Sequence, residues 1–381
     1  MTRVNPWLFL LSFLNPWRNN RLETYVLRAY VSMFGAALMV ISAMILLIDY
    51  VGISKAVSAR ADLSSLSILV LLMEKSPGSI LILLPFAFLF GSLLAFINLN
   101  RRSELIAMRA AGVSAWRFVL PAMAVAFLVG VITITVLNPV ASVLSDRYDR
   151  AMHKLDPDDP SLEGKAIYLR QGDGHTQVVI RAERQDKSQA GHLYNATFWQ
   201  YTVGSDEIPA FEGRIDAQEA LLLPGQWALR GARVAAPGTA TLNYETLSIP
   251  SNLDPKDAFR KYASTGSVPF WQLPGLIHQN AISGFGTTSY ELKLHQLLST
   301  PLMFAAMSAL GAAFSLRLMR LGGLTRLVIS GVSLGFVIFF VNQLFSSMGK
   351  ANVIPVALAG WSPAVLAMLA AMTLLVYTED G

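Results

Sequence analysis

The chain has 381 residues, of which 53% are hydrophobic and only 14% are charged, and its formal net charge is +5. This composition argues against a soluble protein, and the positive charge is not a nucleic-acid signal because it is concentrated in short loops between apolar stretches. The chain has no cysteine, so no disulfide holds any part of it together.

Six stretches of the chain lack Asp, Glu, Lys and Arg and are long enough to cross a bilayer. A hydrocarbon core of about 30 Å requires roughly 20 residues of helix. Helices satisfy their own backbone hydrogen bonds, whereas irregular backbone cannot face lipid. The predicted spans cover residues 29–48, 76–100, 118–145, 294–316, 327–349 and 355–377.

The arginines of the short loops predict the orientation of these spans. Cytoplasmic loops are rich in Lys and Arg, so the N-terminus, the second loop and the fourth loop are expected in the cytoplasm. With six spans the C-terminus lies on the same side, and the polar insert lies outside the cytoplasm. Met1 to Trp17 is expected to be either an interfacial segment or the product of an early start codon, rather than a signal peptide. The arginines are Arg18, Arg21, Arg28, Arg101, Arg102, Arg109, Arg117, Arg317, Arg320 and Arg326.

The polar segment 146–290 separates an N-terminal membrane half, 1–145, from a C-terminal half, 291–381. Its β-rich runs are punctuated by Gly, Pro and Asp turns, which predicts an antiparallel sandwich, a jelly roll or a half-open barrel. Tyr194 and Phe198 are expected on one face of a strand, as part of a packed core or of an apolar groove for a lipid tail. The runs are 166–171, 176–183, 193–203, 215–223, 227–234 and 241–249.

Enzymatic chemistry is sparse in the sequence. The pattern G-x-S-x-G at residues 331–335 lies within a span without a preceding strand, so its small residues indicate helix packing. No phosphate-binding loop is present. Asp49, Glu74 and Lys75 lie at span edges, where they are expected to reach the interface, and no span carries a central carboxylate. We therefore expect a protein that is not an enzyme and whose energy comes from a partner ATPase.

The second cytoplasmic loop predicts one short helix over residues 103–112. Ser103 is the expected N-cap and Gly112 the expected C-terminal stop. The sequence leaves two interpretations open, an interfacial helix anchored by arginines and a docking helix for a partner. The expected surface of this helix combines the apolar side chains Leu105 and Met108 with the charged side chains Glu104 and Arg109.

The segment from Ser103 to Gly112 follows a second span that contains Pro85 and Gly91. It closely resembles the corresponding part of the lipopolysaccharide-export permeases of the LptF/LptG family. The fifth span, with Gly331 to Val337 followed by Asn342-Gln343, looks more like the G member of that pair. The resemblance covers nearly the whole chain after Leu22, including the three-plus-three arrangement of spans around a β-domain.

This resemblance implies a membrane α-helical protein with an inserted periplasmic jellyroll-like domain in the bacterial inner membrane. It implies a half-transporter that pairs with an LptF-like permease and a dimeric LptB-like ATPase, which would bind the ATP and Mg. An LptC-like bitopic subunit and an LptA-like periplasmic bridge complete the implied route for lipopolysaccharide. Glu104 is implied as the contact that couples the permease to the ATPase, with Leu105, Met108 and Arg109 beside it.

Four basic residues are candidates for the lipid A phosphates. Arg147 and Arg150 follow the third span three residues apart, in a pattern that resembles a basic pair of the G member. Guanidinium groups suit phosphate well. Lys55 and Lys75 flank the first outer loop, and all four could instead be generic interfacial anchors. G members often carry a lysine inside the end of the first span, where this chain has Ile45 to Ile48, so different phosphate contacts are expected.

Two other functions share part of this pattern. An exporter of another amphipathic envelope lipid would have the same physical features. A non-transporting scaffold or sensor would use the β-domain as a receptor and would need no ATPase.

Overall fold

The computed structural model describes residues 21–58, 64–154, 167–172, 176–186, 191–203, 209–251, 253, 265–282, 286–318 and 324–379. The predicted interfacial segment Met1 to Trp17 and the loop residues Arg18 and Arg320 lie outside the described residues. Within the described part, six helices are long and apolar enough to cross a membrane, and a β-domain is inserted between the third and the fourth. The predicted fold class is therefore confirmed.

The spans are longer than the charge-free windows predict. Helix α2, for example, begins at Ser65 and includes Glu74 and Lys75 before the predicted start at residue 76. Charged side chains are tolerated near helix ends because they can reach polar surroundings. The spans are α1 (Arg21–Ser58), α2 (Ser65–Arg101), α4 (Trp116–Ile132) with α5 (Asn138–Lys154), α7 (Thr288–Leu318), α8 (Leu324–Lys350) and α9 (Val356–Glu379). Two shorter helices are α3 (Glu104–Ala110) and α6 (Leu273–Ile282).

Close backbone approach holds the centre of the helix bundle together. A Cβ atom on Gly311 of α7 would lie 2.4 Å from the Leu89 carbonyl oxygen of α2, and one on Gly130 of α4 would lie 2.5 Å from the Pro301 Cα of α7. Ser92 Oγ donates a buried hydrogen bond of 2.6 Å to the Ser308 carbonyl. Small residues permit such contact between membrane helices, so α2, α4 and α7 form the packed centre.

The first and fifth spans are far less covered than this centre. In their most apolar windows only 11% and 17% of residues are buried, compared with 56% in α2 and 67% in α7. The G-x-S-x-G segment of α8 packs as predicted, since Cβ atoms on Gly331 and Gly335 would lie 3.2 Å from Leu93 and Phe86 side chains of α2. The other faces of α1 and α8 are not covered by helices of this chain that the structure describes.

The third span contains a five-residue π-helix, Thr133–Leu137, between α4 and α5. Pro139 has no N–H, so the Thr135 carbonyl four residues earlier loses its helical donor. Trp271 supplies the replacement, because its Nε1 donates a hydrogen bond of 3.0 Å to the Thr135 carbonyl. The break in the span is thus closed by the connector that returns from the β-domain.

The β-domain is a six-stranded antiparallel sheet in consecutive strand order. Alternating side chains bury one face around Phe198 and Trp227, whose rings meet edge to face at 5.6 Å. Hairpin connections join neighbouring strands. The strands are β1 (Ile167–Gly172), β2 (Thr176–Gln185), β3 (His192–Val203), β4 (Pro209–Leu223), β5 (Gln226–Ala235) and β6 (Leu242–Pro250).

The two edge strands meet at one end of the sheet through Gln171. This side chain is 4% exposed. Its Nε2 donates to the Pro250 carbonyl at 2.9 Å, and its Oε1 accepts from Ser251 Oγ at 2.7 Å and Trp227 Nε1 at 3.0 Å. The sheet therefore curls until β1 reaches the end of β6, which corresponds to the half-open barrel, one of the three arrangements that the sequence left open.

One detail of the predicted strand alternation is wrong. Tyr194 was expected on the same face as Phe198, but Leu193 is the buried neighbour and Tyr194 is only half-buried. Asn195 adopts a left-handed conformation with φ of 50°, and the paired register passes from Tyr194 to Ala196. Asn tolerates this conformation better than most residues, so the left-handed backbone at Asn195 changes the side-chain alternation by one position while the pairing register stays the same.

Candidate functional site

A stripe of exposed apolar side chains runs along the third span and ends at two arginines. Its members recur every three or four residues, so they share one helix face. Each is between 45% and 60% exposed in this chain. Arg147 and Arg150 continue the same face beyond the apolar part and are also exposed. The apolar members are Leu128, Ile132, Val136, Val140 and Val143.

The two arginines differ in their surroundings. Arg150 Nη2 lies 2.6 Å from Asp146 Oδ2 one helical turn earlier, with 57% of the arginine side chain exposed. Arg147 makes no ion pair with any residue that the structure describes. An exposed pair within one helix contributes little stability, so both guanidinium groups are available to an anion.

Lys75 lies beside the same helix. Its Nζ is 3.1 Å from Asp49 Oδ1 of α1 and 5.6 Å from the ring centre of Tyr148, which stands between the two arginines. The expectation that Asp49 reaches the interface is wrong, because this residue is only 7% exposed. Sequence reasoning missed the pair because Asp49 and Lys75 belong to different spans.

Lys55 is not brought into this group by any described contact. It lies exposed in the last turn of α1 and makes no ion pair with a described residue. The structure thus places Lys75 beside Tyr148, the sequence neighbour of Arg147, and leaves Lys55 apart. Arg147 and Arg150 share a different face of the same helix, and the role of all four cations in phosphate binding stays a prediction.

The connector that returns from the β-domain is attached to the spans beside this group. Ser267 Oγ donates to Asp149 Oδ2 at 2.9 Å, on α5. Lys293 Nζ of α7 donates to the carbonyls of Gly266 at 2.7 Å and Val268 at 2.8 Å. Together with the Trp271 contact, these bonds tie the connector to the third and fourth spans. The role of Lys293 was not predicted, since nothing in its local sequence indicates acceptors from a distant segment.

The short helix of the second loop spans Glu104 to Ala110, within the predicted range. The predicted N-cap is wrong, because Ser103 has a left-handed φ of 57° and its side chain makes no capping hydrogen bond. The predicted stop is confirmed. Gly112 has a φ of +81°, its N–H donates to the Arg109 carbonyl, and the Val113 N–H donates to the Met108 carbonyl. These two bonds form the glycine-dependent C-terminal cap known as the Schellman motif.

The side chains of this helix divide between the bundle and the surface. Leu105, expected on the partner-facing edge, is only 2% exposed and belongs to the core of the helix bundle, so it anchors the helix instead. Met108 is half-buried against the same core. Ile106, which was not singled out, is 61% exposed and is the apolar group available to a partner.

Glu104 is held by the first span. Tyr25 Oη lies 3.0 Å from Glu104 Oε1 and 2.9 Å from Oε2, so the hydroxyl donates to the carboxylate. Nearby, Arg117 Nε donates to Glu23 Oε1 at 3.1 Å and links the third span to the first. The second loop is therefore connected directly to α1, the span with the least coverage by its neighbours.

The β-domain has a cleft of about 510 Å³ where its two edge strands meet. Polar and apolar side chains line it, including Gln171, Val178, Gln200 and Ile249. Phe198 does not line it and is fully buried. Of the two alternatives for the aromatic face, the position of Phe198 supports a packed core.

Six helices that are long and apolar enough to cross a membrane, with a β-domain inserted among them, define a multi-pass membrane protein. Residues 24–377 match the family described as lipopolysaccharide export system permease LptF/LptG. The match covers nearly the whole chain, so the chain belongs to this family. It is a permease component of a lipopolysaccharide export system and a multi-pass inner membrane protein. No curated protein matches the chain.

Proposed function

We propose that the chain is the G-type half-subunit of an ATP-driven transporter that extracts lipopolysaccharide from the outer leaflet of the inner membrane. The termini lie in the cytoplasm and the β-domain lies in the periplasm, where it passes the lipid to a bridge toward the outer membrane. The observation that carries this proposal is the exposed stripe of the third span, which is apolar from Leu128 to Val143 and cationic at Arg147 and Arg150.

The stripe has the polarity of the proposed cargo. From Leu128 to Val143 a helix rises about 22 Å, at about 1.5 Å per residue, which offers a long surface for acyl chains. The arginines at its end provide the planar donors that bind phosphate. Lys75 adds a third cation 5.6 Å from the Tyr148 ring centre. An amphiphile with several chains and a phosphorylated head satisfies both parts of this surface at once.

The open faces of the first and fifth spans support a paired permease. With 11% and 17% of their apolar windows buried, α1 and α8 leave broad apolar surfaces exposed. A homologous LptF-like subunit that faces these spans would enclose a cavity between the two subunits. An LptC-like bitopic helix and an LptA-like bridge are the further partners that this assembly requires.

The surface helix of the second loop is the proposed contact with the ATPase. Glu104 presents a carboxylate and Ile106 an exposed apolar side chain, while Arg109 lies in the last turn of the helix. The buried Leu105 fixes the helix to the bundle, so force applied to the helix reaches the spans. This chain itself is not the enzyme, since ATP and Mg bind to the LptB-like partner.

Photocrosslinking in cells tests the lipid path. A photoreactive residue replaces Val143, one turn before the arginines, and the control replaces Leu369 of α9, which is 56% exposed. We expect a lipopolysaccharide adduct at residue 143 and little at residue 369. Arg147→Gln with Arg150→Gln should weaken the adduct, while Arg147→Lys with Arg150→Lys should retain part of it. Equal adducts at both positions, or none at residue 143 in a normally assembled protein, would refute the proposal.

Glu104→Gln separates a transporter from a scaffold or sensor. A transporter whose helix couples to an ATPase should lose export while the protein persists in the membrane. The control is Glu245→Gln, an exposed carboxylate of β6 in the β-domain. Normal export by the Glu104 variant would contradict the coupling role. If export fails but the accumulated lipid is not lipopolysaccharide, the chain exports a different envelope lipid.

A further inference from the structure

Asp49 is a buried carboxylate at the outer end of the first span. It is 7% exposed, and its Oδ1 lies 3.1 Å from Lys75 Nζ of the second span. Its other oxygen, Oδ2, is buried and has no hydrogen-bond partner among the described residues. A buried carboxylate is strongly disfavoured unless a cation accompanies it. Lys75 is therefore the cation that compensates the buried Asp49 carboxylate.

The Lys75 side chain contacts the buried Asp49 carboxylate on one side and is exposed on the other. One third of its side chain is exposed, whereas only 9% of the Asp49 side chain is. An ammonium group has three donors, so Lys75 can face Asp49 and still accept an anion from the exposed side. The Tyr148 ring beside it belongs to the helix that carries Arg147 and Arg150. Lys75 is therefore a further cation beside the helix that carries the arginines, within reach of a second phosphate of the same lipid.

We propose that Asp49 is an internal counter-ion that competes with the lipid phosphate for Lys75. This inference rests on the proposed function. When Lys75 turns toward a phosphate, the Asp49 carboxylate stays buried with a weakened partner, and this penalty opposes retention of the lipid. A transport site must bind its cargo weakly enough to release it. Asp49 is thus a positioning residue that lowers phosphate affinity and promotes release.

The neighbouring carboxylates provide the comparison. Asp146 is paired with Arg150 at 2.6 Å, and only 16% of its side chain is exposed, with its Oδ1 buried and without a hydrogen-bond partner among the described residues. Glu74 is adjacent to Lys75 in sequence and makes no ion pair with a described residue. Of the three carboxylates, Asp49 is the one that contacts Lys75.

The test measures binding of lipid A to the assembled complex in nanodiscs. The probes are phosphorylated lipid A and the same lipid after complete dephosphorylation, and the measured quantity is the ratio of their affinities. We expect Asp49→Asn to raise this ratio roughly fivefold, the scale of one ion pair at about 4 Å in bulk water. ATP-driven release of the phosphorylated lipid should slow in the same variant. The matched control, Glu74→Gln, should change the ratio less than about twofold.

If the Asp49→Asn protein does not assemble, a second pair of variants tests the same inference. Lys75→Met leaves the Asp49 carboxylate buried without a cation, so this variant should have the lowest ratio of affinities for phosphorylated and dephosphorylated lipid A. Lys75→Met with Asp49→Asn removes both charges and should restore the ratio toward wild type. An Asp49→Asn protein with an unchanged or lower ratio, or a double variant no better than Lys75→Met, would overturn the inference.

The wild-type protein distinguishes this inference from the proposed function on which it rests. If the wild-type complex binds phosphorylated and dephosphorylated lipid A equally well, the proposed phosphate site is wrong. If it prefers the phosphorylated lipid and Asp49→Asn leaves that preference unchanged, only the counter-ion role is wrong.

Discussion

Replacement of Gly311 by Ala should destabilise the centre of the helix bundle. The new methyl group would lie 2.4 Å from the Leu89 carbonyl oxygen, 2.9 Å from Ser92 Cβ and 3.0 Å from the Leu93 nitrogen. Ordinary carbon–oxygen contacts begin at about 3.3 Å, so α2 and α7 must separate by roughly 1 Å. All three contacts lie on or next to the α2 backbone, so a rotamer change cannot relieve them.

The expected cost has two parts. Overpacking of a close-packed interior reduces the free energy of unfolding by about 1–3 kcal/mol. The separation also stretches the 2.6 Å hydrogen bond from Ser92 Oγ to the Ser308 carbonyl, one turn away from Gly311. Hydrogen bonds between membrane helices contribute about 1 kcal/mol. We therefore expect Gly311→Ala to lower the free energy of unfolding by roughly 2–4 kcal/mol.

Gly35→Ala provides the matched control in the first span. A Cβ atom at Gly35 has no neighbour within 4 Å, and Ala is the better helix former by about 1 kcal/mol. Reversible unfolding of both variants of the isolated chain in mixed detergent micelles measures the difference in free energy. A Gly311→Ala protein within about 1 kcal/mol of the Gly35→Ala protein would refute the packing argument.

Two further predictions concern hydrogen bonds that close breaks in the structure. Trp271→Phe should lower the unfolding temperature by a few degrees, because the Thr135 carbonyl loses a hydrogen-bond donor worth about 1 kcal/mol. The control is Trp361→Phe in the sixth span. Equal unfolding temperatures of the two variants would contradict a stabilising role for the hydrogen bond from Trp271 to Thr135. Gln171→Leu should destabilise the β-domain by about 1–3 kcal/mol, since it removes the buried hydrogen bonds of Gln171 with Pro250, Trp227 and Ser251. Hydrogen exchange measures this change, and unchanged protection of β1 and β6 would contradict the role of Gln171.

The spans and strands follow from local patterns, and their prediction was largely correct. Each span needs only a long charge-free stretch, and each strand needs only β-rich runs between turn residues. Two of the wrong predictions, for the N-cap and for one strand face, each concern the backbone conformation of a single residue. Ser103 has the residue type of an N-cap but not the backbone conformation, and the left-handed φ at Asn195 displaces Tyr194 from the face that strict alternation assigns to it. Residue type alone does not specify a left-handed φ at a non-glycine position.

The candidate site was only partly predictable for a different reason. Arg147 and Arg150 are three residues apart on one helix, so their common face follows from helical geometry. The partners of Lys75 and Glu104 are far away in sequence. Asp49 and Tyr25 belong to the first span, and nothing in their local sequence indicates which loop or helix packs against them.

Patterns along the chain were enough to predict a multi-pass membrane protein that is interrupted by a β-domain and resembles this permease family. Hydrophobic length and periodicity are local quantities, and a single chain contains them in full. The packing of the helices in space was needed to show that Leu105 is buried, that Lys75 faces the Asp49 carboxylate, and that Trp271 donates to the Thr135 carbonyl. These outcomes depend on which helices lie side by side, because burial and charge pairing are properties of neighbours in space.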